Sequence, residues 1–150
     1  MVSSFRVIVC PVDLGENSLN ALEYAVYLAQ QSRAMVYLLY VIPRDERHLP
    51  RELYRRNQSG EADLGWAGKL AKEKLQTIAR ESLDGKICCE VVTRVGDPAT
   101  VILAVAEDVE ADLIVLTTHG RRGVSRFLRG SVAEEVVREA VCPVLIIRRG

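Results

Sequence analysis

The sequence predicts an α/β fold built on a doubly wound parallel sheet of five strands. Two observations predict it. Short apolar runs, rich in β-branched residues, alternate with segments in which apolar residues recur at helical spacing. A strand that returns through a helix to a neighbouring strand forms a right-handed crossover, which makes the sheet parallel and puts helices on its faces. We therefore expect a Rossmann-like architecture, with ligands bound at the carboxyl ends of the strands.

Length and composition limit the class of protein. A chain of 150 residues fits one domain spanning residues 1–150, and such a domain buries roughly two-thirds of its unfolded surface. The 20 basic and 20 acidic residues balance, so neither nucleic acid nor a membrane is expected as a partner. The first residues lack the pattern of a signal peptide and no apolar run reaches the ~18 residues of a membrane span, which predicts a cytoplasmic location.

The first part of the chain contains two strands and one helix. The apolar run Phe5–Val12 is the first strand, and it leads into a turn that begins at Asp13. The apolar residues that follow are spaced for an amphipathic helix that ends near Gln31. The second strand covers Met35–Ile42, and Pro43 ends it.

The rest of the chain supplies three more strands and three helices. Glu90 and Arg94 interrupt the third strand, which places it at or near an edge of the sheet. Asp112, just before the fourth strand, is interpreted as a turn or capping group. The predicted elements are a helix from Asp63, a strand over Ile87–Val95, a helix begun by Asp97 and Pro98, a strand over Leu113–Leu116, a helix opened by Ser131 and a strand over Val144–Ile147.

The stretch from residue 44 to residue 68 is polar and rich in arginine, and it is long for a connection inside a compact domain. A short helical piece is predicted over Arg51–Arg56. Two interpretations stay open. The favoured one is a solvated, disordered loop. The other is a lid, because the stretch leaves the end of the second strand and could fold over the ligand crevice.

The four cysteines are interpreted as reduced, buried, small hydrophobic residues. They show no C-x2-C spacing, and three of them lie in apolar runs typical of strands. With only two histidines in the chain, a zinc site is not expected. The cysteines are Cys10, Cys88, Cys89 and Cys142.

The loop after the fourth strand has the composition of an anion-binding site. It carries glycines and four arginines and no acidic residue. Glycines let successive N–H groups turn inward around a phosphate, and the following helix N-terminus adds unpaired N–H groups and the positive end of the helix dipole. The residues concerned are Gly120, Arg121, Arg122, Gly123, Arg126, Arg129, Gly130, Ser131 and Val132.

Two residues of this loop have structural alternatives. Ser131 and Glu134 fit the capping box S-x-x-E, so the serine hydroxyl is expected either to cap its own helix or to contact phosphate. His119 lies beside glycines and is interpreted as a hydrogen-bonding strut rather than as a base.

The loop resembles the signature G-x2-G-x9-G-[ST] of the universal stress protein family. Gly120 and Gly130-Ser131 match the second and third glycines and the hydroxyl residue, whereas Thr117 stands where the first glycine is expected. The resemblance covers essentially the whole chain, including the GDPA turn and the PVLIIRR ending. It implies a member of the ATP-binding type, a strand order of 3-2-1-4-5 and a homodimer formed through the last strand, Val144, Leu145, Ile146 and Ile147.

The resemblance also assigns a second part of the site. In ATP-binding members, the residues matching Pro11, Val12, Asp13 and Val41 lie against the adenine and ribose. The carboxylate of Asp13 could accept from an adenine amino group or a ribose hydroxyl, or it could cap the turn before the first helix. We favour the contact with the nucleotide over the capping role. The site predicted by the resemblance and the loop is Pro11, Val12, Asp13, Val41, Thr117, His119, Gly120, Arg121, Arg122, Gly123, Gly130, Ser131 and Val132.

Three functions follow as hypotheses. The first is a nucleotide-dependent stress-response or regulatory module that binds ATP, with or without Mg²⁺, or a related adenine nucleotide. The second is a slow ATPase or phosphotransferase at the same site, and the third is a dimeric scaffold that binds no nucleotide. The chain lacks the P-loop G-x4-G-K-[ST] and the dinucleotide motif G-x-G-x-x-G, so the usual sites of those classes are not expected. Asp13 is the only plausible nearby carboxylate for phosphoryl transfer, which favours binding over turnover.

Overall fold

The structure, a computed structural model, describes residues 4–14, 18–83, 85–118 and 131–148. The strands are β1 (Val7–Pro11), β2 (Met35–Ile42), β3 (Cys89–Val95), β4 (Leu113–Thr117) and β5 (Val144–Ile147). The helices are α1 (Ser18–Ser32), α2 (Leu64–Leu83), α3 (Pro98–Asp108) and α4 (Val132–Glu139). Two single turns of 3₁₀ helix, Glu46–His48 and Arg51–Leu53, lie between β2 and α2.

The five strands form one parallel sheet in the order β3-β2-β1-β4-β5, which confirms the predicted fold class and strand order. The charged strand β3 lies at one edge, as predicted, and β5 lies at the other. The order reverses direction at β1, whose neighbours are β2 and β4. In a doubly wound sheet this switch point is where strands part at their carboxyl ends and leave a crevice.

Each strand of the sheet centre buries residues on both faces. Ile8 and Cys10 of β1 pack on one face with α1 and α2, and Val9 between them packs on the other with α3 and α4. This alternation explains why the central strands read as unbroken apolar runs. Fully buried large side chains on the two faces include Ile8, Leu22, Leu38, Leu75 and Val115 on the first and Val9, Leu39, Val105 and Ile114 on the second.

The carboxylate of Asp112 fixes the start of the central strand. Its Oδ2 accepts hydrogen bonds from the backbone N–H groups of Arg6, at 2.8 Å, and Val7, at 2.9 Å. The N–H of Asp112 donates in return to the carbonyl of Val7. Asp112 thus has the predicted capping role, and the backbone it caps is more than a hundred residues away in the sequence. These bonds set the position at which β4 begins beside β1.

The stretch after β2 is packed against the core, so its interpretation as a solvated, disordered loop is wrong. Leu53 is fully buried and Leu49 is 7% exposed, and both belong to the same apolar cluster as Val12 and Tyr40. The predicted helical piece is real but shorter, since the 3₁₀ turn covers Arg51–Leu53 alone. Two leucines four positions apart therefore anchor a stretch whose other residues are mostly polar.

The end of this stretch is tied to the start of α2. Arg55 forms an ion pair with Asp63 at 2.7 Å, and its guanidinium lies 4.9 Å from the centroid of the Trp66 ring. Asp63 also accepts from the N–H of Trp66, at 2.9 Å. A hairpin closed by an antiparallel bridge between Arg56 and Ala62 lies between these contacts. Charge and stacking thus hold the segment where few apolar residues are available.

The cysteines are free, but their predicted burial holds only for Cys10. Cys88 is exposed, and Cys89 and Cys142 are half-buried. Cys88 precedes the edge strand β3 and Cys142 follows α4, so both lie at the boundaries of elements where strand-like composition does not imply burial.

Alkaline pH should destabilise the fold partly through Cys10. Burial, with a smaller contribution from Cys89, raises the pKa of the Cys10 thiol from 9.0 to about 12. The folded state keeps this proton when the unfolded chain loses it, so its contribution is complete below pH ~9 and is lost as pH rises toward 12. The unfolding free energy, measured in urea at pH ~8 and ~10.5, should fall less in Cys10→Ala than in the parent. If the unfolding free energy of the parent and of Cys10→Ala fell equally between the two pH values, the raised pKa of Cys10 would be contradicted.

No helix among the described residues combines the length and apolar character that crossing a bilayer requires.

Candidate functional site

A cavity of about 410 Å³ opens at the carboxyl ends of β1, β2 and β4. The first turns of α3 and α4 close it on one face of the sheet. Its volume is in the range of small-molecule sites in proteins. Seven of the predicted site residues, drawn from four separate segments, line it: Pro11, Val12, Asp13, Val41, Thr117, Ser131 and Val132. The other six, His119, Gly120, Arg121, Arg122, Gly123 and Gly130, lie outside the described residues.

Six lining residues were not predicted from the sequence: Tyr40, Pro98, Ile102, Leu116, Thr118 and Ala133. Pro98 is predicted only as the start of a helix, and Ile102 lies about one turn further along the same helix. The signal that could have found them is topological, because α3 follows the carboxyl end of β3 and so begins at the same edge of the sheet. Most of the six are apolar, and they give the cavity walls suited to a flat, apolar ring.

The crevice opens because β1 stays paired with β2 further than with β4. Its register with β2 reaches Pro11, opposite Leu39, whereas its register with β4 ends at Val9, opposite Ile114. One more bond continues toward β2, from Val12 N–H to the carbonyl of Leu39 at 2.8 Å. Beyond this point the two sides of the switch point diverge into the cavity.

The backbone of Val41 lies one step beyond the last of these bonds. In a parallel strand the N–H and C=O of one residue point to the same neighbour, and the direction alternates along the strand. Leu39 bonds toward β1 and Ile42 bonds toward β3, through Gly96 N–H at 3.0 Å. Val41 therefore presents one donor and one acceptor to the side on which β1 has ended, and it lines the cavity there.

Tyr40 brings a neutral hydroxyl to the wall next to Asp13. The pKa of Tyr40 is raised to about 12. Burial is the main cause, and the negative charges of the nearby Asp13 and Glu52 carboxylates add to it. The phenol thus stays protonated at any physiological pH. Glu52 lies on the 3₁₀ turn Arg51–Leu53, so this turn lies near enough to Tyr40 for the Glu52 carboxylate to act on the phenol at the cavity wall.

Ser131 caps α4, as one of its two predicted roles requires. Its hydroxyl oxygen accepts from the N–H of Glu134 at 3.1 Å. A hydroxyl can donate its proton while its oxygen accepts, so a cap of this kind does not in itself exclude a contact between the serine and an anion. The competition between the two predicted roles is therefore weaker than the sequence alone indicates. The cap residue and Val132 also place the positive end of the α4 dipole at the cavity wall.

A family model described as the universal stress protein family matches residues 4–148. The chain belongs to the universal stress protein family. A universal stress protein of Methanocaldococcus jannaschii is 34% identical to it over an alignment of 154 residues, gaps included. The alignment covers 97% of this chain and 83% of the relative. The solved structure of a universal stress protein from Lactobacillus plantarum superposes with a TM-score of 0.75 at 27% identity, covering 97% of this chain and 99% of that one.

Two further solved universal stress proteins hold adenine nucleotides. One is in complex with cAMP and has a TM-score of 0.68 at 24% identity, covering 97% of this chain and 98% of that one. The other, from Archaeoglobus fulgidus, is in complex with dAMP and has a TM-score of 0.65 at 23% identity, covering 98% and 99%. At these identities the likeness establishes the shared fold of this universal stress protein and its neighbours.

Proposed function

We propose that this universal stress protein binds ATP or a related adenine nucleotide in the cavity and acts in the cytoplasm as a nucleotide-dependent regulatory module of the stress response. One observation carries the proposal. Four segments that the sequence separates, containing Asp13, Val41, Thr117 and Ser131, line one cavity at the switch point of the sheet. Ligands of doubly wound folds bind at this position. The fold neighbours that hold cAMP and dAMP add that such a fold accommodates adenine.

The base is proposed to lie between the apolar walls, with its edge against Val41. Adenine has a donor, the 6-amino group, next to an acceptor, N1. The carbonyl and N–H of Val41 offer the complementary pair on the side facing the cavity. Guanine carries an acceptor at position 6 and a donor at N1, so both of its groups would meet a like group. This arrangement favours adenine because unpaired buried polar groups are costly.

The phosphates are proposed to lie at the N-terminus of α4. The positive end of the helix dipole favours negative charge there. Ser131 lines the cavity at this terminus, and a hydroxyl that accepts from Glu134 N–H can exchange its donor contact for one with a phosphate oxygen. The glycines and arginines of the motif, from Gly120 to Gly130, would complete this part of the site. Mg²⁺ would then bind through the phosphate oxygens and water. The carboxylate of Asp13, which lines the cavity, is proposed to lie against the adenine and ribose.

Binding, rather than rapid turnover, is the activity that the cavity supports. Phosphoryl transfer requires a metal clamp and a positioned nucleophile. Asp13 is the only carboxylate among the described residues that line the cavity.

A homodimer through β5 is part of the proposal, because Val144, Leu145 and Ile146 are half-buried on an edge strand that a second copy could cover.

Nucleotide binding is tested by identifying what the protein carries and what it takes up. The protein is purified without added nucleotide and denatured, and the released small molecules are identified by mass spectrometry. We expect ATP or ADP at about one per chain, and calorimetric titration should show ATP bound at least about tenfold more tightly than GTP, or ~1.4 kcal/mol. A protein that releases nothing and gives no heat with millimolar ATP would overturn the proposal. Equal affinity for ATP and GTP would overturn the role of Val41 alone.

A further inference from the structure

We propose that Pro11 is a positioning residue of the nucleotide site: because it has no N–H, it ends the hydrogen-bonded ladder between β1 and β4 and thereby holds the crevice open. This inference rests on the proposed function for its consequence, although the ladder itself can be measured without nucleotide. Pro11 lines the cavity and is the last residue of β1, a strand in the middle of the sheet. Proline is disfavoured at such positions because it cannot donate to a neighbouring strand.

The direction of each backbone group in β4 follows from its bonds to β5. Ile114 N–H donates to Pro143 at 3.0 Å, and Thr118 N–H donates to Ile147 at 3.1 Å. Even-numbered residues of β4 therefore face β5. By alternation, the N–H and C=O of Val115 face β1.

The same reasoning fixes the direction of Pro11. Val12 N–H donates to Leu39, and the carbonyl of Arg6 accepts from Met35 N–H at 2.9 Å, so even-numbered residues around β1 face β2. Residue 11 faces β4. Since Val9 lies opposite Ile114, the next bond of the ladder would run from the N–H of residue 11 to the carbonyl of Val115. Proline cannot make it, and the register ends at Val9.

The interruption falls where the cavity begins. Past Pro11, the residues Val12 and Asp13 line one side of the cavity, and Leu116, Thr117 and Thr118 line the other. If the ladder continued, its register would bring Val12 opposite Thr117, and the two sides would be bonded to each other instead of facing a ligand. Pro11 keeps its pairing with β2, because the groups on that side belong to its even-numbered neighbours. A proline at this position thus opens one side of the strand and leaves the other intact.

The test compares two replacements of Pro11 that differ at one backbone atom, an N–H in the first and an ester oxygen in the second. Pro11→Ala supplies the missing donor, and a matched ester, made by inserting lactic acid at position 11 through nonsense suppression, has the same side chain without it. We expect the new amide of Pro11→Ala to be protected from hydrogen exchange in the nucleotide-free protein. We expect Pro11→Ala to bind ATP about tenfold more weakly than the ester, because the nucleotide must displace a formed ladder bond.

Each outcome decides the inference. Rapid exchange of the new amide would overturn it, whether or not the parent binds nucleotide. Equal ATP affinities of Pro11→Ala and the ester would also overturn it, since any loss they share comes from the missing ring. If the parent itself ignores ATP, the proposed function fails, and amide protection in Pro11→Ala still decides whether the proline ends the ladder.

Discussion

Val132→Glu should abolish nucleotide binding without destabilising the protein. Val132 is the first residue of α4, is 39% exposed and lines the cavity. A carboxylate there interacts favourably with the helix dipole, by about 0.3–1 kcal/mol, and so takes the place proposed for phosphate. We expect the ATP dissociation constant to rise at least about 100-fold, or ~2.7 kcal/mol, in calorimetric titration. Urea unfolding should show stability equal to or above that of the parent.

Two variants separate charge from size and position. Val132→Gln has the same shape without the charge and should weaken ATP binding much less than Val132→Glu. Val137→Glu puts the same charge on the same helix at a residue that is 50% exposed and does not line the cavity, and it should bind as the parent does. If Val132→Glu and Val132→Gln lose the same affinity, the effect is steric and the phosphates do not lie at this helix terminus.

Leu53→Ala should destabilise the whole protein, although the residue lies in a stretch whose composition is that of a surface loop. Leu53 is fully buried in the cluster that contains Val12 and Tyr40. Truncating a buried leucine costs about 2–4 kcal/mol through lost burial and the cavity left behind. The unfolding free energy, measured in urea, should fall by that amount in a single transition with an unchanged denaturant dependence.

The neighbouring residue provides the control for this prediction. Glu52→Ala changes an exposed side chain on the same 3₁₀ turn and should alter the unfolding free energy by less than about 0.5 kcal/mol. A loss below about 1 kcal/mol in Leu53→Ala would mean that the segment packs on the core too weakly to contribute to its stability.

Most of the fold could be predicted because the signals that determine it are local and repeated. Apolar runs buried on both faces mark β1, β2 and β4, and charged residues within a strand mark the edge at β3. Helix starts carry their own chemistry, as at Asp97, whose side chain accepts from Thr100 N–H at 3.1 Å as an N-cap does. The prediction agrees with the structure where the local sequence of one strand or helix is enough to identify it, without knowledge of the elements that pack against it.

The stretch after β2 shows where local reading fails. Its arginines and acidic residues dominate the composition, and two leucines four positions apart, Leu49 and Leu53, are too weak a pattern to predict burial. Their burial, in the cluster that also contains Val12 and Tyr40, depends on contacts that only the assembled fold creates. The contacts of Arg55 with Asp63 and Trp66 also hold the stretch against the start of α2. From composition alone, these charged residues would be predicted to be solvated.

The candidate site divides in the same way. Residues that belong to a motif or to the end of an apolar strand, such as Asp13 and Ser131, could be placed at the crevice from the sequence and the topology of the fold. Pro98 and Ile102 carry no such signal of their own, because their side chains satisfy the requirements of a helix start and a helix core, and only the position of α3 after β3 indicates them. Pro11 was predicted as a contact, whereas the end of the ladder at its position becomes visible only through the register of β1 with both neighbours.

The two hydrogen bonds that Asp112 accepts from Arg6 and Val7 have a consequence for the order of events during synthesis. Strand β1 leaves the ribosome first, but its partner β4 and the carboxylate that fixes its start emerge about a hundred residues later. Strands β1, β2 and β3 can pair before then, which leaves one side of β1 open in the nascent chain. An unpaired apolar strand edge invites association with other chains. The open side of β1 is therefore closed only when β4 has emerged and the carboxylate of Asp112 can accept from Arg6 and Val7.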